Sequence, residues 1–241
     1  MKVLRWIHTF LFFTWMWLLL FLSIALLIPM FLFRLLRMRN AEKGYVYGLT
    51  KFWARQHNAT AGARVQVVGK ENIPDEGAFC IIGNHQGSMD IPILMAYIPR
   101  TLGFIAKAEL KKVPFISSWM KAIGCVFIDR KNLRAAIDAL RAAAAQVNAG
   151  HTMVLFPEGT RSRSGEPGKF NSAGIRMLVE NQATILPVTL VNTRAIFEKD
   201  KLITPAKAKL YIHPPQRFKP EEASEAVGIL REMVVGPLKS E

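Results

Sequence analysis

Hydrophobic positions divide the chain into an apolar N-terminal run and a longer region in which short apolar runs alternate with helical patterns. No Asp, Glu, Lys or Arg occurs between Arg5 and Arg34, so residues 6–33 form an uncharged stretch of 28 residues. A continuous helix of that length would reach roughly 40 Å, more than the ~30 Å hydrocarbon core of a bilayer. The pattern predicts a membrane anchor and disfavours a secretory signal peptide, whose apolar region is shorter and ends in a small-residue cleavage site.

A second, mixed segment spans residues 30–57, where aromatic and aliphatic side chains lie among basic ones, as in an interfacial helix. Pro29 interrupts the apolar run, so either one tilted span or a two-helix element lying partly in the interface fits. Four basic residues follow the run within ten positions, whereas two precede it. This bias predicts that the remainder of the chain lies on the cytoplasmic side of the cell inner membrane.

From residue 64 onward the pattern predicts a single α/β domain, a largely parallel sheet flanked by helices. The longest helix should begin after Asn132, a favourable N-cap, and end at Asn148. Its apolar face should pack on the sheet; the face comprises Leu133, Ile137, Leu140, Ala144 and Val147. The other predicted elements are strands at 64–68, 78–83, 102–106, 125–128, 153–156, 185–191 and 207–212, and helices at 89–97, 115–123 and 221–235.

The charge balance favours an anionic partner but does not distinguish between the possible kinds. The chain has 32 Lys and Arg against 18 Asp and Glu, a net charge of +14, which favours nucleic acid, an anionic bilayer or phosphorylated substrates. The two cysteines, Cys80 and Cys125, each lie in a short apolar run. They are expected to be buried and reduced, which suits a cytoplasmic compartment and argues against a disulfide scaffold.

The first candidate site is the segment 84–90, Asn-His-Gln-Gly-Ser-Met-Asp, which follows one predicted strand and opens a helix. In an open α/β sheet, ligands bind at the carboxyl ends of the strands. Five positions separate His85 from Asp90, so the carboxylate can fold back onto one imidazole nitrogen and leave the other free to accept a proton. The alternative is that His85 only caps the helix.

A second candidate segment, residues 156–165, reads Phe-Pro-Glu-Gly-Thr-Arg-Ser-Arg-Ser-Gly and also follows a predicted strand. Its glycines allow close approach of the backbone to a ligand, and its guanidinium and hydroxyl groups suit a phosphate. The alternative is a solvated basic loop, although Glu158 beside Arg161 suggests a positioned pair. Lys107 ends another predicted strand, and residues 124–130 form a further, weaker candidate.

Together these motifs resemble the glycerolipid acyltransferase family, in particular the bacterial 1-acyl-sn-glycerol-3-phosphate acyltransferases. The resemblance covers residues 84–190 and rests on the order and spacing of five motifs. They are His-x4-Asp, Phe-Ile-x-Lys-x-x-Leu, Gly-x-x-Phe-Ile-Asp-Arg, Phe-Pro-Glu-Gly-Thr-Arg-Ser and Ile-Leu-Pro-Val. The resemblance implies that residues 1–57 form an N-terminal membrane-binding helical segment and residues 58–241 an acyltransferase domain.

The resemblance also implies roles for individual residues. His85 would be the general base and Asp90 its orienting partner, while Lys107 and Arg161 would bind a phosphate. The glycerol pocket would be shaped by Glu158, Gly159 and Thr160. The chain departs from the family pattern at two places: Gly87 stands where many members have Ser, and residues 169–172 replace a common Phe-Lys-Lys-Gly run.

The implied reaction transfers an acyl group from a thioester to 1-acyl-sn-glycerol 3-phosphate, or lysophosphatidic acid, at a phospholipid bilayer. The donor would be acyl-coenzyme A or acyl-carrier protein, and neither a cofactor nor a metal is expected. Glycerol 3-phosphate, another lyso-lipid or an amino-acid-containing lyso-lipid remain alternative acceptors. A membrane-tethered nucleic-acid-binding protein is less consistent with the sequence, which has no recognition helix or aromatic-basic sheet pattern, and we expect no nucleic acid as partner. A lipid-binding scaffold with an inactive site is the third alternative.

Overall fold

One sheet organises the chain in a computed structural model that describes residues 2–162 and 164–239. Within that part of the chain the sheet has seven strands in the order β1-β7-β6-β2-β5-β3-β4. The strands are β1 (Ala63–Val68), β2 (Cys80–Gly83), β3 (Leu102–Lys107), β4 (Val126–Ile128), β5 (Thr152–Leu155), β6 (Ile185–Val191) and β7 (Ala206–Ile212). Strands β6, β2, β5, β3 and β4 run parallel, whereas β7 is antiparallel to β6 and parallel to β1.

Helices cover both faces of this sheet. They are α1 (Lys2–Leu22), α2 (Leu27–Leu35), α3 (Arg39–Thr60), α4 (Asp90–Tyr97), α5 (Ile116–Ala122), α6 (Leu133–Asn148), α7 (Ser172–Glu180) and α8 (Ala223–Val235). Buried side chains of α1, α3 and α4 join one hydrophobic cluster, and those of α6, α7 and α8 join the cluster on the opposite face. The predicted α/β class with a largely parallel sheet is therefore confirmed.

The N-terminal region consists of three helices. The apolar run breaks at residues 23–26 rather than at Pro29, which lies in the first turn of α2, where proline costs little because that backbone amide has no helical acceptor. Among the described residues, Lys2–Leu35 is long and apolar enough to cross a membrane, by length and composition alone, and little of it is buried. The domain boundary at residue 57 remains a prediction, and α3 continues through it to Thr60.

Local sequence accounts for most element boundaries. The side chain of Asn132 caps α6 by accepting a hydrogen bond from the Ala135 amide at 3.1 Å, as its residue type predicts. The predicted apolar face of α6 is wrong at one position, because Leu133 is 76% exposed at the first helical residue. Helix α7 is absent from the sequence-based predictions, although Asn171 caps it through the Ala173 amide at 2.9 Å.

Candidate active site

The segment between β2 and α4 holds an imidazole against a buried carboxylate. Nδ1 of His85 lies 2.7 Å from Oδ2 of Asp90, the first residue of α4. Asp90 is completely buried, whereas the His85 side chain is 15% exposed and lines a cavity. A carboxylate accepts hydrogen bonds, so Nδ1 donates its proton and Nε2 is the imidazole nitrogen left to accept one. The structure thus brings the predicted pair into contact.

Asp90 is held by more than the imidazole. Its Oδ2 also accepts hydrogen bonds from the amides of Gln86 at 2.7 Å and Gly87 at 2.9 Å. Its Oδ1 accepts a short hydrogen bond from the Thr193 hydroxyl, and the Thr193 amide donates to Oε1 of Gln86 at 3.0 Å. A buried carboxylate needs such donors to offset its lost hydration. These bonds therefore fix the orientation of the carboxylate that the imidazole meets.

The imidazole ring and its backbone have further supports. The ring of His85 stacks on Phe156, which follows β5, with centroids 4.1 Å apart and an interplanar angle of 11°. Glu158 accepts hydrogen bonds from the amides of His85 at 2.9 Å and Gly168 at 2.8 Å. The expected Glu158–Arg161 pair is not formed; Glu158 instead joins the segment between β2 and α4 to the loop after β5.

Arg161 contacts a different carboxylate. Its Nη1 lies 3.4 Å from Oε1 of Glu198, which also accepts a hydrogen bond from the Ser88 amide at 2.6 Å. The Arg161 side chain is 55% exposed and that of Glu198 is 7% exposed. Arg161 thus lines the cavity while one nitrogen of its guanidinium contacts a buried acid.

A cavity of about 1570 Å³ unites the predicted site residues. Six of the seven line it, namely His85, Lys107, Glu158, Gly159, Thr160 and Arg161, while Asp90 lies behind His85. The remaining wall is mostly apolar and comes from both faces of the sheet, with Phe13, Trp17 and Trp53 on the α1 and α3 side and Ile137 and Leu140 on the α6 side. A polar edge beside large apolar walls suits a ligand with a phosphate head and hydrocarbon chains.

Three of the lining residues contribute backbone shape or exposed charge. Lys107 ends β3 and is exposed, consistent with a cation available to an anionic ligand. Gly159 has φ +73°, a left-handed conformation that glycine adopts without strain, and its carbonyl accepts a short hydrogen bond from Arg130. Thr160 is exposed and its hydroxyl donates to the Arg161 carbonyl at 3.1 Å.

The thiols near this site are poorly suited to nucleophilic attack. Cys125 lines the cavity and Cys80 is buried in β2, and both are free. Burial raises the pKa of each thiol to about 12, so the reactive thiolate is scarce at neutral pH. Within residues 2–162 and 164–239, no group of three His, Cys, Asp or Glu side chains has the arrangement of a metal site.

Several supporting residues are absent from the sequence-based predictions. The sequence marks Phe156 only as the start of a motif, and Thr193 and Glu198 lie more than 100 positions after His85. Glu198 precedes Lys199, Asp200 and Lys201, a run typical of a solvated loop. Asn84 belongs to the first candidate segment, but the sequence does not predict its paired hydrogen bonds of 2.8 Å to the Leu190 amide and carbonyl, which join β2 to β6.

The fold and site define an α/β protein with an imidazole–carboxylate pair at the carboxyl edge of its sheet. Residues 64–191 match the family model described as Acyltransferase. The chain therefore belongs to the acyltransferase family, as its motifs suggested.

Individual proteins extend the likeness beyond that region. A 1-acyl-sn-glycerol-3-phosphate acyltransferase of Borreliella burgdorferi is 30% identical over 184 residues, which cover 75% of this chain and 74% of that protein. One of Helicobacter pylori is 35% identical over 129 residues, 53% of this chain and 54% of its own. The crystal structure of the 1-acyl-sn-glycerophosphate (LPA) acyltransferase from Thermotoga maritima superimposes with a TM-score of 0.83 at 30% identity and covers 98% of both chains.

Proposed function

We propose that this chain is a 1-acyl-sn-glycerol-3-phosphate acyltransferase. It would transfer a fatty acyl group from a thioester to the free hydroxyl of 1-acyl-sn-glycerol 3-phosphate and so form phosphatidic acid. The names of its relatives support this acceptor. The observation that carries the proposal is the contact of His85 with Asp90 at the wall of a cavity that Lys107 and Arg161 also line.

In the proposed mechanism His85 is the general base. Nε2 removes the proton of the acceptor hydroxyl as its oxygen attacks the thioester carbonyl, and Asp90 stabilises the imidazolium that forms. When the tetrahedral intermediate collapses, the carbon–sulfur bond breaks and the imidazolium returns the proton to the departing thiolate. No acyl-enzyme is required, because a thiolate is already a good leaving group.

The phosphate of the acceptor would bind between Lys107 and Arg161. Lys107 ends β3 and Arg161 lies in the loop after β5, and the carboxyl ends of these parallel strands lie at one edge of the sheet. The planar guanidinium suits two phosphate oxygens, and the ammonium supplies a point charge. Glu158, Gly159 and Thr160 would shape the space for the glycerol between this phosphate and His85.

Residues 1–57 would form the membrane-binding segment and residues 58–241 the catalytic domain, on the cytoplasmic side of the inner membrane. The uncharged run and the basic residues that follow it support this placement. An acyl chain could then enter the apolar part of the cavity from the bilayer. The donor would be acyl-coenzyme A or acyl-carrier protein, each of which leaves as a thiol.

Acyl transfer by the purified full-length chain, measured with a panel of acceptors in phospholipid vesicles, tests this function. The panel contains 1-acyl-sn-glycerol 3-phosphate, glycerol 3-phosphate, a lyso-lipid with a phosphodiester head and an amino-acid-containing lyso-lipid, each offered with both donors. We expect the highest kcat/KM for 1-acyl-sn-glycerol 3-phosphate. A higher kcat/KM for any other acceptor would contradict the proposal.

A further inference from the structure

A buried acid lies directly behind the proposed phosphate ligand. Glu198 is 9% exposed and follows β6 by seven residues. Its Oε1 joins the Ser88 amide, 2.6 Å away, to Nη1 of Arg161, 3.4 Å away. Its Oε2 is buried and has no hydrogen-bond partner among the described residues. Burying a carboxylate in this way is costly, so its presence in the site calls for a compensating role.

Gly87 provides the space that this carboxylate occupies. A Cβ atom added at Gly87 would lie 2.3 Å from Oε2 of Glu198, so the carboxylate would have to shift. The φ of Gly87 is outside the left-handed region, so its backbone conformation is open to other residues. Glycine at position 87 therefore allows the close approach of Glu198, and the two positions are sterically matched.

Helix α1 fixes the segment that carries Glu198. The ring of Phe13 packs edge-on against Phe197 with centroids 5.5 Å apart. Arg5 forms an ion pair with Asp200 at 2.5 Å, and the Ile203 amide donates to the Thr9 hydroxyl at 2.9 Å. Contacts on both sides of Glu198 thus hold it in place, unlike an acid in a solvated loop.

We propose that Glu198 is a positioning residue that holds the Arg161 guanidinium toward the acceptor phosphate; the inference rests on the function proposed above. A guanidinium has five N–H donors, so one edge can contact Glu198 while the others remain for phosphate oxygens. Holding one edge reduces the conformational entropy that the long side chain loses when the acceptor binds. Glu198 acts through Arg161 and makes no contact with the reacting atoms.

The first test replaces Glu198 by Gln in the full-length chain. Glu198→Gln keeps an acceptor for the Ser88 amide but removes the charge that holds Arg161. We expect the acceptor KM to rise about 3-fold to 10-fold, the size of a coupling between contacting residues, with kcat and donor KM nearly unchanged. In an Arg161→Ala background the same replacement should have no further effect on acceptor KM.

A purely structural role would give a different result. If Glu198 only braced the segment around Ser88, Glu198→Gln would lower kcat and the thermal midpoint, and its effect would persist in the Arg161→Ala background. Either result would overturn the proposal. Glu180→Gln, which removes an exposed carboxylate at the end of α7, is the matched control and should leave all four quantities unchanged.

The second test uses the steric match. Gly87→Ala should displace Glu198 and therefore raise the acceptor KM as Glu198→Gln does. In a Glu198→Ala background, Gly87→Ala should change neither acceptor KM nor the thermal midpoint, because the clashing carboxylate is gone. If the single Gly87→Ala chain folds poorly, recovery of its thermal midpoint by Glu198→Ala gives the same answer. Strictly additive effects of the two changes would refute the match.

These tests separate the inference from the function on which it rests. The coupling is measured with whichever acceptor the parent chain turns over fastest. A preferred acceptor other than 1-acyl-sn-glycerol 3-phosphate would contradict the proposed function, while coupling between Glu198 and Arg161 would still be found or not found. Transfer to 1-acyl-sn-glycerol 3-phosphate without that coupling would contradict the inference alone.

Discussion

The carboxyl edge of the sheet and the N-terminal helices reverse the ordinary distribution of side chains in opposite ways. At the edge, charged and polar groups are buried: Asp90 is 0% exposed and Asn84 is 1% exposed. In the helices, large apolar side chains face outward, with Phe10 70% exposed and Trp6 64% exposed. Globular proteins bury charges rarely and seldom expose contiguous apolar surface.

The two reversals have different physical costs and indicate different environments. The buried carboxylate of Asp90 is stabilised inside the chain by four hydrogen bonds, so this region carries its own compensation. The exposed apolar surface of α1 and α2 has no such internal compensation and would be stabilised by a lipid phase. The first region therefore supports the proposed proton transfer, and the second supports the proposed contact with a bilayer.

The largest effect is expected at the buried pair. His85→Ala should lower kcat by about 10²-fold to 10⁴-fold with little change in acceptor KM, because a general base acts mainly in the transition state. Asp90→Asn should also lower kcat strongly, since an amide cannot stabilise imidazolium as a carboxylate does. Steady-state assays of the folded variants measure both effects. Near-normal turnover by either variant would contradict the mechanism, and the exposed His151, replaced by Ala, is the control.

Charged substitutions in the exposed helices should weaken membrane binding and leave acyl transfer itself unchanged. Trp6→Lys combined with Phe10→Lys adds charge at two outward positions, 64% and 70% exposed, and should cost about 3 kcal/mol of membrane affinity. Sedimentation with vesicles should then show roughly a 10²-fold lower partition coefficient, with kcat on a short-chain acceptor maintained. Point changes are preferable to deletion of residues 1–57, because Phe12 and Met16 belong to the core.

The matched control for the anchor is Ile229→Lys, a similar exchange at a position of α8 that is 38% exposed. It should leave vesicle binding unchanged. If the double variant bound vesicles as well as the parent chain, α1 would not be the membrane contact.

The proposed phosphate ligand should show an intermediate effect. Arg161→Lys keeps the charge and removes the planar fork, and the loss of one charge-assisted hydrogen bond, about 1.5–3 kcal/mol, would raise acceptor KM roughly 10-fold to 100-fold. Donor KM should stay nearly constant, and Arg176→Lys on the exposed face of α7 should be neutral. If Arg161→Lys and Lys107→Ala weakened only the donor, both residues would belong to the thioester site.

Sequence patterns predicted the part of the molecule in which secondary-structure signals and chemical motifs occur together. The strand and helix order from β1 to α8 follows from alternating apolar runs and from caps such as Asn132, with α7 the exception. The His85–Asp90 contact was predictable because five residues separate the pair across one turn. Thr193 and Glu198 were not predictable, because both lie more than 100 positions after the groups they contact. Only tertiary packing brings Thr193 to the Asp90 carboxylate and Glu198 to the Ser88 amide.

The N-terminal helices show the limit of pattern in another way. Proline was expected to break the apolar run, yet the break precedes Pro29, because the first helical turn tolerates a residue without an amide proton. The interfacial segment at residues 30–57 was predicted as one element, whereas the structure divides it at residues 36–38 into α2 and α3. The exposure of apolar side chains in this segment follows from tertiary packing, because α1 and α3 turn other side chains toward the core.

The smallest effect is expected within the N-terminal helices, at His57. Its ring lies 4.8 Å from that of Phe12 and 4.9 Å from that of Trp53, centroid to centroid, so α1 and α3 share it. Burial lowers the pKa of His57 from 6.5 to about 4, so the folded chain keeps the imidazole neutral. Because the unfolded chain binds this proton more readily, the stability is present above pH 6.5 and is lost as pH falls toward 4.

Between pH 7.5 and 5.5 this loss should reach about 1 kcal/mol, measured as the free energy of unfolding in denaturant. Replacing His57 by Gln should lower stability at pH 7.5, because the packed ring is lost, yet it should flatten the dependence on pH. His213 also has a pKa lowered by burial, so the His57→Gln variant should keep a residual slope. His151→Gln, at an exposed position, should leave the slope as it is in the parent. An undiminished slope in His57→Gln would show that the packing of α1 against α3 does not depend on a neutral imidazole at position 57.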